Sequence, residues 1–367
     1  MRVLVAGGGL AGSLLAWRLA QQRGTQIELI TGRAGPSKPR PVTDATAASG
    51  GAVRAYDALP EQRELAIASL VELLASPVLR DWASYRETGF AYLHAGPADG
   101  PADGLADGRA EIERAVAEIE RALPGSAELT SPAEAFGGQD GGPGWAGDEA
   151  GDGARAVVRE RRAGYTSPGR LRDAVLADLA ARSCAVLRDA TLDSAADFAG
   201  GNTAGYDAVV LAAGAWTPAL LRASGRPAGG YRTRSIQYTV YDAGPVRPTA
   251  FADERTGLYG LPTADGGLLL GLPTTEWDVP PGAAKATLSL HEAAARLAAG
   301  CFPRLKLGEA RQRVAAVDCY CDPPVLALRE VSGQPPRLFT FTGGSGGAAK
   351  SALAASLRAA RQLTDLA

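Results

Sequence analysis

The motif GGGLAG at residues 7–12, with the glycine spacing GxGxxG, constrains the fold more than any other feature of the sequence. It follows the apolar run Arg2–Ala6, which predicts a buried parallel strand, and it precedes Ser13–Gln22, which has leucines at helical spacing. Gln26–Thr31 then predicts a second strand. In such a βαβ unit the glycines allow a tight turn, a close approach of the backbone to a pyrophosphate, and close helix–strand packing. The segment therefore predicts a dinucleotide-binding fold.

The end of the second predicted strand departs from this fingerprint. An acidic residue is expected there to bind ribose hydroxyls, but the sequence has Thr31, Gly32 and Arg33, and Glu28 lies in mid-strand. We expect the Thr31 hydroxyl to bond to the ribose and Arg33 to meet a phosphate. The missing carboxylate disfavours NAD. It leaves FAD as the expected cofactor, since FAD is also held through the other half of the molecule, which carries the flavin.

Length and charge bound the remaining possibilities. The chain has 367 residues, enough for about two domains, and its net charge of −2 gives no basic excess for nucleic acid or an anionic membrane. No apolar run of about 20 residues occurs, so we expect no transmembrane helix. Four Cys and two His, at spacings that suit neither a disulfide framework nor zinc, predict no metal site. We expect a cytoplasmic protein, either a monomer or a small homo-oligomer.

The rest of the chain predicts how the domains are divided. Tyr206–Ala213 reads as a buried strand that runs into Gly214, where the backbone can approach a cofactor. Residues 231–275 alternate apolar and polar positions around turns, which favours an antiparallel sheet. A last strand at Leu338–Phe341 leads into a glycine-rich loop and a C-terminal helix. The low-complexity stretches at 95–108 and 137–153 predict loops.

These patterns predict an α/β fold with a discontinuous Rossmann-like FAD-binding domain. An inserted substrate domain is expected to be built on an antiparallel β-sheet plus helices. The predicted boundaries assign 1–85, 155–225 and 310–367 to the FAD-binding domain, and 86–154 and 226–309 to the substrate domain.

Several segments together resemble a known family. GGGLAG at 7–12, VVLAAGAWTP at 209–218 and the glycine-rich loop before the last helix are similar to FAD-dependent amine and amino-acid oxidases of the D-amino-acid oxidase and glycine oxidase superfamily. Three further segments resemble the sarcosine oxidase branch of this superfamily: ASGGAVR at 48–54, YGLP at 259–262 and TGGSGGAAK at 342–350.

The resemblance implies a reaction. It implies FAD as cofactor, a small-molecule amine or amino-acid substrate, and oxygen or another electron acceptor. The expected step is hydride removal beside nitrogen, which gives an imine that water hydrolyses. The protein then contributes orientation and a dry site.

The resemblance also implies residue roles. Lys350 would pair with a substrate carboxylate and Arg54 would lie near the substrate, which makes these two the expected catalytic residues. Residues 343–347 would place backbone N–H groups where negative charge develops on the reduced flavin. The expected cofactor-binding residues are Gly7, Gly9, Leu10, Ala11, Gly12, Thr31, Arg33, Ser49, Gly50, Gly214, Trp216, Cys319, Gly343, Gly344, Ser345, Gly346, Gly347 and Lys350.

A covalent flavin link is a further implication. The branch attaches flavin to a Cys in a Cys-x-Tyr setting, whereas residues 318–322 read DCYCD. Cys319 is the better candidate and Cys321 the alternative. Both could instead be buried thiols that act as small apolar residues, so covalent and non-covalent FAD both stay open.

Two positions depart from the branch. Leu269 falls where the branch has a lysine that promotes reaction with oxygen, and Pro273 falls where it has a substrate-site histidine. We therefore expect a substrate other than sarcosine, of a specialised biosynthetic kind.

Two other functions share the opening βαβ unit. A flavin monooxygenase or halogenase would need a later Gly-Asp motif at a strand end, and Gly151-Asp152 lies in a low-complexity stretch instead. A non-catalytic flavin-binding protein is the second alternative. NAD(P)H consumption would favour the first of these, and failure of amines to bleach the flavin would favour the second.

Overall fold

A computed structural model describes residues 1–32, 44–95, 103–137, 144–146, 156–190, 205–333 and 336–366, with the backbone alone at 103–107. Arg33 and the predicted loop residues 96–102, 138–143 and 147–153 lie outside the described residues. The helices of the described residues are α1 (Leu10–Leu19), α2 (Ala45–Ala48), α3 (Pro60–Ala75), α4 (Pro77–Trp82), α5 (Asp103–Ala122), α6 (Pro132–Phe136), α7 (Pro168–Ala180), α8 (Thr217–Ala223), α9 (Leu288–Cys301) and α10 (Ala348–Thr364).

A six-stranded sheet carries the dinucleotide motif. Its strands, in spatial order, are β16 (Ala327–Ser332), β17 (Arg337–Thr342), β10 (Ala208–Leu211), β1 (Arg2–Ala6), β2 (Gln26–Ile30) and β9 (Ala185–Arg188). All neighbours pair in parallel except β16 with β17. The predicted βαβ unit is confirmed, and β1 lies beside β10 in the middle of the sheet.

Helices cover one face of this sheet. The largest apolar cluster joins α1, α3, α7 and α10 to strands β1, β2, β10 and β17, and it includes the fully buried Leu14, Leu15 and Leu19 of α1. Burial of apolar surface stabilises the folded state by about 25 cal/mol per Å². This packing holds α1 against the sheet, so that the helix begins at the carboxyl end of β1.

A second sheet of eight strands is largely antiparallel. Its strands, in spatial order, are β15 (Leu307–Tyr320), β11 (Arg232–Ala243), β14 (Gly267–Gly271), β13 (Tyr259–Pro262), β12 (Ala250–Asp253), β5 (Phe90–Leu93), β7 (Val157–Glu160) and β6 (Ala127–Thr130). β12 and β5 pair in parallel, and the other neighbours pair antiparallel. A small third sheet joins β3 (Ala52–Val53), β8 (Gly164–Tyr165) and β4 (Arg86–Glu87).

Three expectations are corrected by these elements. β7 and β15 belong to the eight-stranded sheet although they lie in segments assigned to the FAD-binding domain, because β7 pairs with β5 and β15 pairs with β11 as far as Tyr320. Helix α5 begins at Asp103, so the end of the predicted loop at 95–108 is helical. The division into two domains otherwise stays a prediction.

The described ranges contain no helix long and apolar enough to cross a membrane. They also contain no group of three or more His, Cys, Asp or Glu side chains placed to hold a metal ion.

Candidate functional site

A cavity of about 1050 Å³ lies at the carboxyl ends of the parallel strands. The turns after β1, β10 and β17 line one side of it, and β11, β13, β14 and β15 of the eight-stranded sheet line another. Ligands of open α/β sheets bind at this edge. Small-molecule pockets hold about 300–1,000 Å³, so this volume suits a large ligand.

The glycine motif forms the tight corner of this cavity. Gly7 has a φ of +129°, and a Cβ there would lie 2.3 Å from the carbonyl oxygen of Ala212. A Cβ on Gly12 would lie 2.0 Å from the carbonyl oxygen of Gly7, so α1 touches the end of β1 only because both residues lack side chains. Gly9, Leu10 and Ala11 line the cavity, and the Leu10 N–H donates to the Thr46 hydroxyl at 3.0 Å. The helix N-terminus thus presents a positive dipole end to the cavity.

The end of β2 supplies no carboxylate to the cavity. Thr31 and Gly32 line it, and the Thr31 hydroxyl donates to the carbonyl oxygen of Arg188 at 3.2 Å. Glu28 is buried in mid-strand, where it accepts a hydrogen bond from Tyr206 and pairs with Arg188 at 2.7 Å. The acid of this strand is therefore structural.

The loop after α2 reaches the antiparallel sheet. Ser49 and Gly50 line the cavity, and a Cβ on Gly50 would lie 3.0 Å from Cδ1 of Leu269. Leu269 is buried on β14 and also lines the cavity. An apolar side chain thus lies beside Gly50 at this wall of the cavity.

The glycine-rich loop after β17 closes another side. Gly343, Gly344, Ser345 and Gly346 line the cavity, as do Gly214 and Trp216 after β10. Ser345 has a φ of +56°, an uncommon conformation for a residue with a side chain, and such residues cluster at functional sites. Gly12 and Gly347 lie outside the set of lining residues.

Lys350 and Arg54, the predicted catalytic residues, are not among the residues that line the cavity, and their roles stay predictions. Lys350 Nζ lies 2.5 Å from Oδ2 of Asp57, and Arg54 lies 3.8 Å from the same oxygen. The Arg54 guanidinium also stacks over the rings of Phe90 and Tyr92. On α10 the cavity is lined by Ala348, Ala349 and Ala352; residue 350 turns toward α3 instead.

Burial dominates the electrostatics of this cluster. It lowers the pKa of Lys350 to about 8, with Arg54 adding to the effect and Asp57 opposing it. Lys350 and Arg54 together hold the pKa of Asp57 below its ordinary value against its own desolvation. Nearby, Glu160 is buried and accepts backbone N–H bonds from Ala55 and Tyr56. Two cations and two carboxyl groups thus lie close together, and Arg54 Nη1 has no hydrogen-bond partner among the described residues.

The two cysteines have different surroundings. Cys319 lines the cavity, and burial raises the pKa of its thiol to about 12, so it is protonated at neutral pH. Cys321 lies outside the lining set, with Sγ 3.0 Å from the carbonyl oxygen of Pro323 and 3.4 Å from that of Gly343. A covalent link at Cys319 stays a prediction.

Sequence reasoning missed Arg234 and Asp318. These residues pair across β11 and β15 and both line the cavity. Arg234 is the only Arg or Lys among the described residues that line it. One of 34 arginines in an alternating strand carries no signal by itself. Asp318 belongs to the DCYCD segment, in which the cysteines are the residues that the family resemblance points to.

Arg234 is held in a fixed position. Its Nε donates to the carbonyl oxygen of Thr274 at 2.9 Å, its Nη2 donates to the same oxygen, and its guanidinium lies 4.9 Å from the centre of the Trp277 ring. Its Nη1 donates to no atom of the described residues. A cation held at a cavity wall with a free N–H group is suited to an anionic ligand group.

Asp318 is the acid that faces it across the strands. Burial raises the pKa of this carboxyl to about 6, and the Cys319 backbone N–H opposes the shift. No ion pair joins Asp318 to any Arg, Lys or His of the described residues, Arg234 included.

The residues fit FAD. The Gly7 and Gly12 contacts leave room for backbone and not for side chains, and the N-terminus of α1, which lines the cavity, suits a pyrophosphate. Gly7, Gly9, Leu10 and Ala11 would hold that group. Ser49, Gly50 and the loop 343–346 would lie along the flavin.

A parallel sheet with a GxGxxG turn, a large cavity at its carboxyl edge and a wall of antiparallel strands define a dinucleotide-dependent oxidoreductase. The chain belongs to the DAO family of FAD-dependent oxidoreductases, whose pattern matches residues 2–362. FAD is therefore its cofactor.

Solved structures share the fold over nearly the whole chain. Glycine oxidase from Geobacillus kaustophilus is 18% identical, with a TM-score of 0.69 and coverage of 98% of this chain and 95% of that one. L-proline dehydrogenase from P. horikoshii is 17% identical, with a TM-score of 0.73 and coverage of 99% and 93%. Iminodiacetate oxidase from Chelativorans sp. BNC1 is 17% identical, with a TM-score of 0.68 and coverage of 99% and 95%. No curated protein matches this sequence.

Proposed function

We propose that this flavoprotein oxidises the C–N bond of an amino acid or a carboxylate-bearing secondary or cyclic amine to an imine. The observation that carries the proposal is Arg234, a fixed cation at the wall of a cavity that otherwise has a largely apolar lining. The family match and the glycine oxidase and proline dehydrogenase neighbours support the same class.

Arg234 takes the substrate carboxylate in this proposal, the role that the resemblance gave to Lys350 and Arg54. Its Nη1 donates to the carboxylate while Trp277 and Thr274 hold the guanidinium in place. Bound FAD supplies the two-electron acceptor. The apolar side chains of Leu261, Leu269 and Phe341 exclude water from the reacting carbon.

The substrate differs from that of the sarcosine oxidase branch. Leu269 and Pro273 both line the cavity at positions where that branch has a lysine and a histidine. We propose that the protein is similar to that branch and that its own substrate is a specialised biosynthetic one.

The first test is anaerobic bleaching of the bound flavin. The purified holoenzyme is mixed with L-amino acids, D-amino acids, N-methylglycine and L-proline, and loss of the visible flavin band is followed. Bleaching by members of this panel supports the proposal. Bleaching by NAD(P)H alone would favour the monooxygenase alternative, and no bleaching by any amine would refute the proposal.

A matched pair of variants tests Arg234. Arg234→Met removes the cavity cation, whereas Arg232→Met removes an exposed arginine two residues away that also stacks on Trp277 and pairs with Asp278. Charge-assisted hydrogen bonds contribute about 1.5–3 kcal/mol, so we expect Arg234→Met to weaken binding of carboxylate substrates about 10- to 100-fold. Arg232→Met should leave it unchanged.

A further inference from the structure

A partly buried carboxyl group lines the cavity, and no ion pair of the described residues neutralises it. Asp318 lies on β15, and among the described residues its recorded hydrogen-bond partner is the backbone N–H of Cys319. Partial burial of a carboxylate without a charged partner is unfavourable. A fold tolerates such a group where a ligand supplies the missing partner, and this carboxyl group lies on the wall of the ligand cavity.

The surroundings of Asp318 converge on one point of the cavity. A Cβ on Gly346 would lie 3.7 Å from Oδ2 of Asp318 and 3.8 Å from the hydroxyl of Tyr320. Since Asp318 and Tyr320 are two residues apart on β15, their side chains share a face of the strand. Both therefore point toward the glycine-rich loop, which also lines the cavity.

The charged and titratable groups around Asp318 are few. Arg234 lies across on β11, and its N–H groups turn to Thr274. Tyr320 and Cys319 are on the same strand, and burial raises the pKa of each to about 12. The glycine-rich loop and the 3₁₀ turn Gly214–Trp216 carry no titratable side chain. No neighbouring group thus supplies a positive charge directly to this carboxylate.

Arg234 and Asp318 present opposite charges on paired positions of neighbouring strands. Directly paired residues of antiparallel strands project their side chains from the same face of the sheet, so one small zwitterion can meet both charges. A carboxylate on Arg234 leaves the nitrogen of the same molecule directed toward Asp318.

We propose that Asp318 binds the ammonium group of the substrate and accepts its proton before the C–N bond is oxidised. The inference rests on the proposed amine oxidation and assigns its substrate class as zwitterionic amino acids that bind with nitrogen protonated. One proton passes from nitrogen to the Asp318 carboxylate, which becomes a neutral carboxyl group. The substrate becomes a neutral amine with a free electron pair, and no electrons are exchanged in this step.

Burial makes Asp318 a stronger base than an exposed carboxylate, since its pKa is raised to about 6. The carboxylate form is required for both binding and proton transfer. Amine binding and the rate of flavin bleaching should therefore rise as the pH passes upward through about 6.

The test compares amines with their oxygen analogues in the holoenzyme. The probes are L-proline against tetrahydrofuran-2-carboxylate, and N-methylglycine against methoxyacetate; each pair keeps the carboxylate and replaces N–H by oxygen. Binding is measured from the perturbation of the flavin spectrum. Because a hydrogen bond between charged groups is involved, we expect the wild type to prefer the amine and Asp318→Asn to reduce this preference about tenfold or more.

Asp322→Asn is the matched control, since it removes one negative charge from an exposed position outside the cavity lining. It should retain both the preference for the amine and the rise in bleaching rate near pH 6, and Asp318→Asn should lose both. Flavin content and the ligand-free spectrum of each variant are recorded first.

Three results would overturn the inference. An Asp318→Asn variant that keeps the amine preference and the pH profile leaves Asp318 without this role. If the Asp318→Asn variant loses flavin while the remaining holoenzyme keeps its preference for the amine, Asp318 contributes to cofactor binding instead. If the wild type neither binds any amine nor is bleached by one, the proposed function itself is wrong. This result can be told apart from failure of the Asp318 inference, because it appears before any substitution is made.

Discussion

Lys350→Met separates the two roles that this lysine has been given. The structure places Nζ 2.5 Å from Oδ2 of Asp57, with side-chain exposures of 8% and 18%, and outside the cavity lining. Removing one partner of a buried ion pair costs about 3–5 kcal/mol because the other charge is left buried. Arg54 remains 3.8 Å from Asp57 and the backbone N–H of Leu59 still donates to it, so we expect the lower end, about 3 kcal/mol.

The expected shift in melting temperature follows from the chain length. Unfolding entropy is about 2 cal/mol/K per residue, so a chain of 367 residues changes by roughly 0.8 kcal/mol per degree. A loss of about 3 kcal/mol then lowers Tm by about 4 °C. Holoenzyme melting curves measure this shift. Lys285→Met, which removes an exposed lysine without an ion pair in the described residues, should leave Tm unchanged.

A second substitution tests the cause. Asp57→Asn in the Lys350→Met background removes the stranded charge while keeping a side-chain acceptor for Leu59, so part of the lost stability should return. Substrate affinity should follow the wild type in both variants once flavin content is equal. The reasoning is wrong if Lys350→Met keeps its Tm and loses affinity for carboxylate substrates, because Lys350 would then bind the substrate as the resemblance implied.

Two further outcomes test the packing and the charge at and beside the cavity. Gly12→Ala places a Cβ 2.0 Å from the carbonyl oxygen of Gly7, and overpacking costs about 1–3 kcal/mol or more; we expect lost flavin content and a lower Tm. Gly300→Ala, in a helix with open space around it, should be neutral or stabilising, and equal behaviour of the two variants would contradict the packing argument. Leu269→Lys puts a cation toward Gly50, so stopped-flow oxidation of the reduced flavin by oxygen should be faster than in the wild type, whereas Leu269→Met should match the wild type.

The sequence by itself determined the dinucleotide half of this protein. A βαβ unit is local: strand, turn and helix are neighbours in the chain, and the GxGxxG spacing has a steric reason in each glycine. The contacts of Gly7 and Gly12 confirm that reason. The antiparallel sheet was also predictable, because alternation of apolar and polar residues is visible in a single strand.

Tertiary structure decided the chemistry of the cavity wall. Lys350 stands three residues into α10, and a helix turns about 100° per residue. Whether it faces the cavity or α3 therefore depends on how the helix packs, which no motif records. Arg234 and Asp318 are 84 positions apart, and only the pairing of β11 with β15 makes them neighbours. Long-range strand register thus selects the charges on the cavity wall, whereas local sequence determines the turn of the dinucleotide motif.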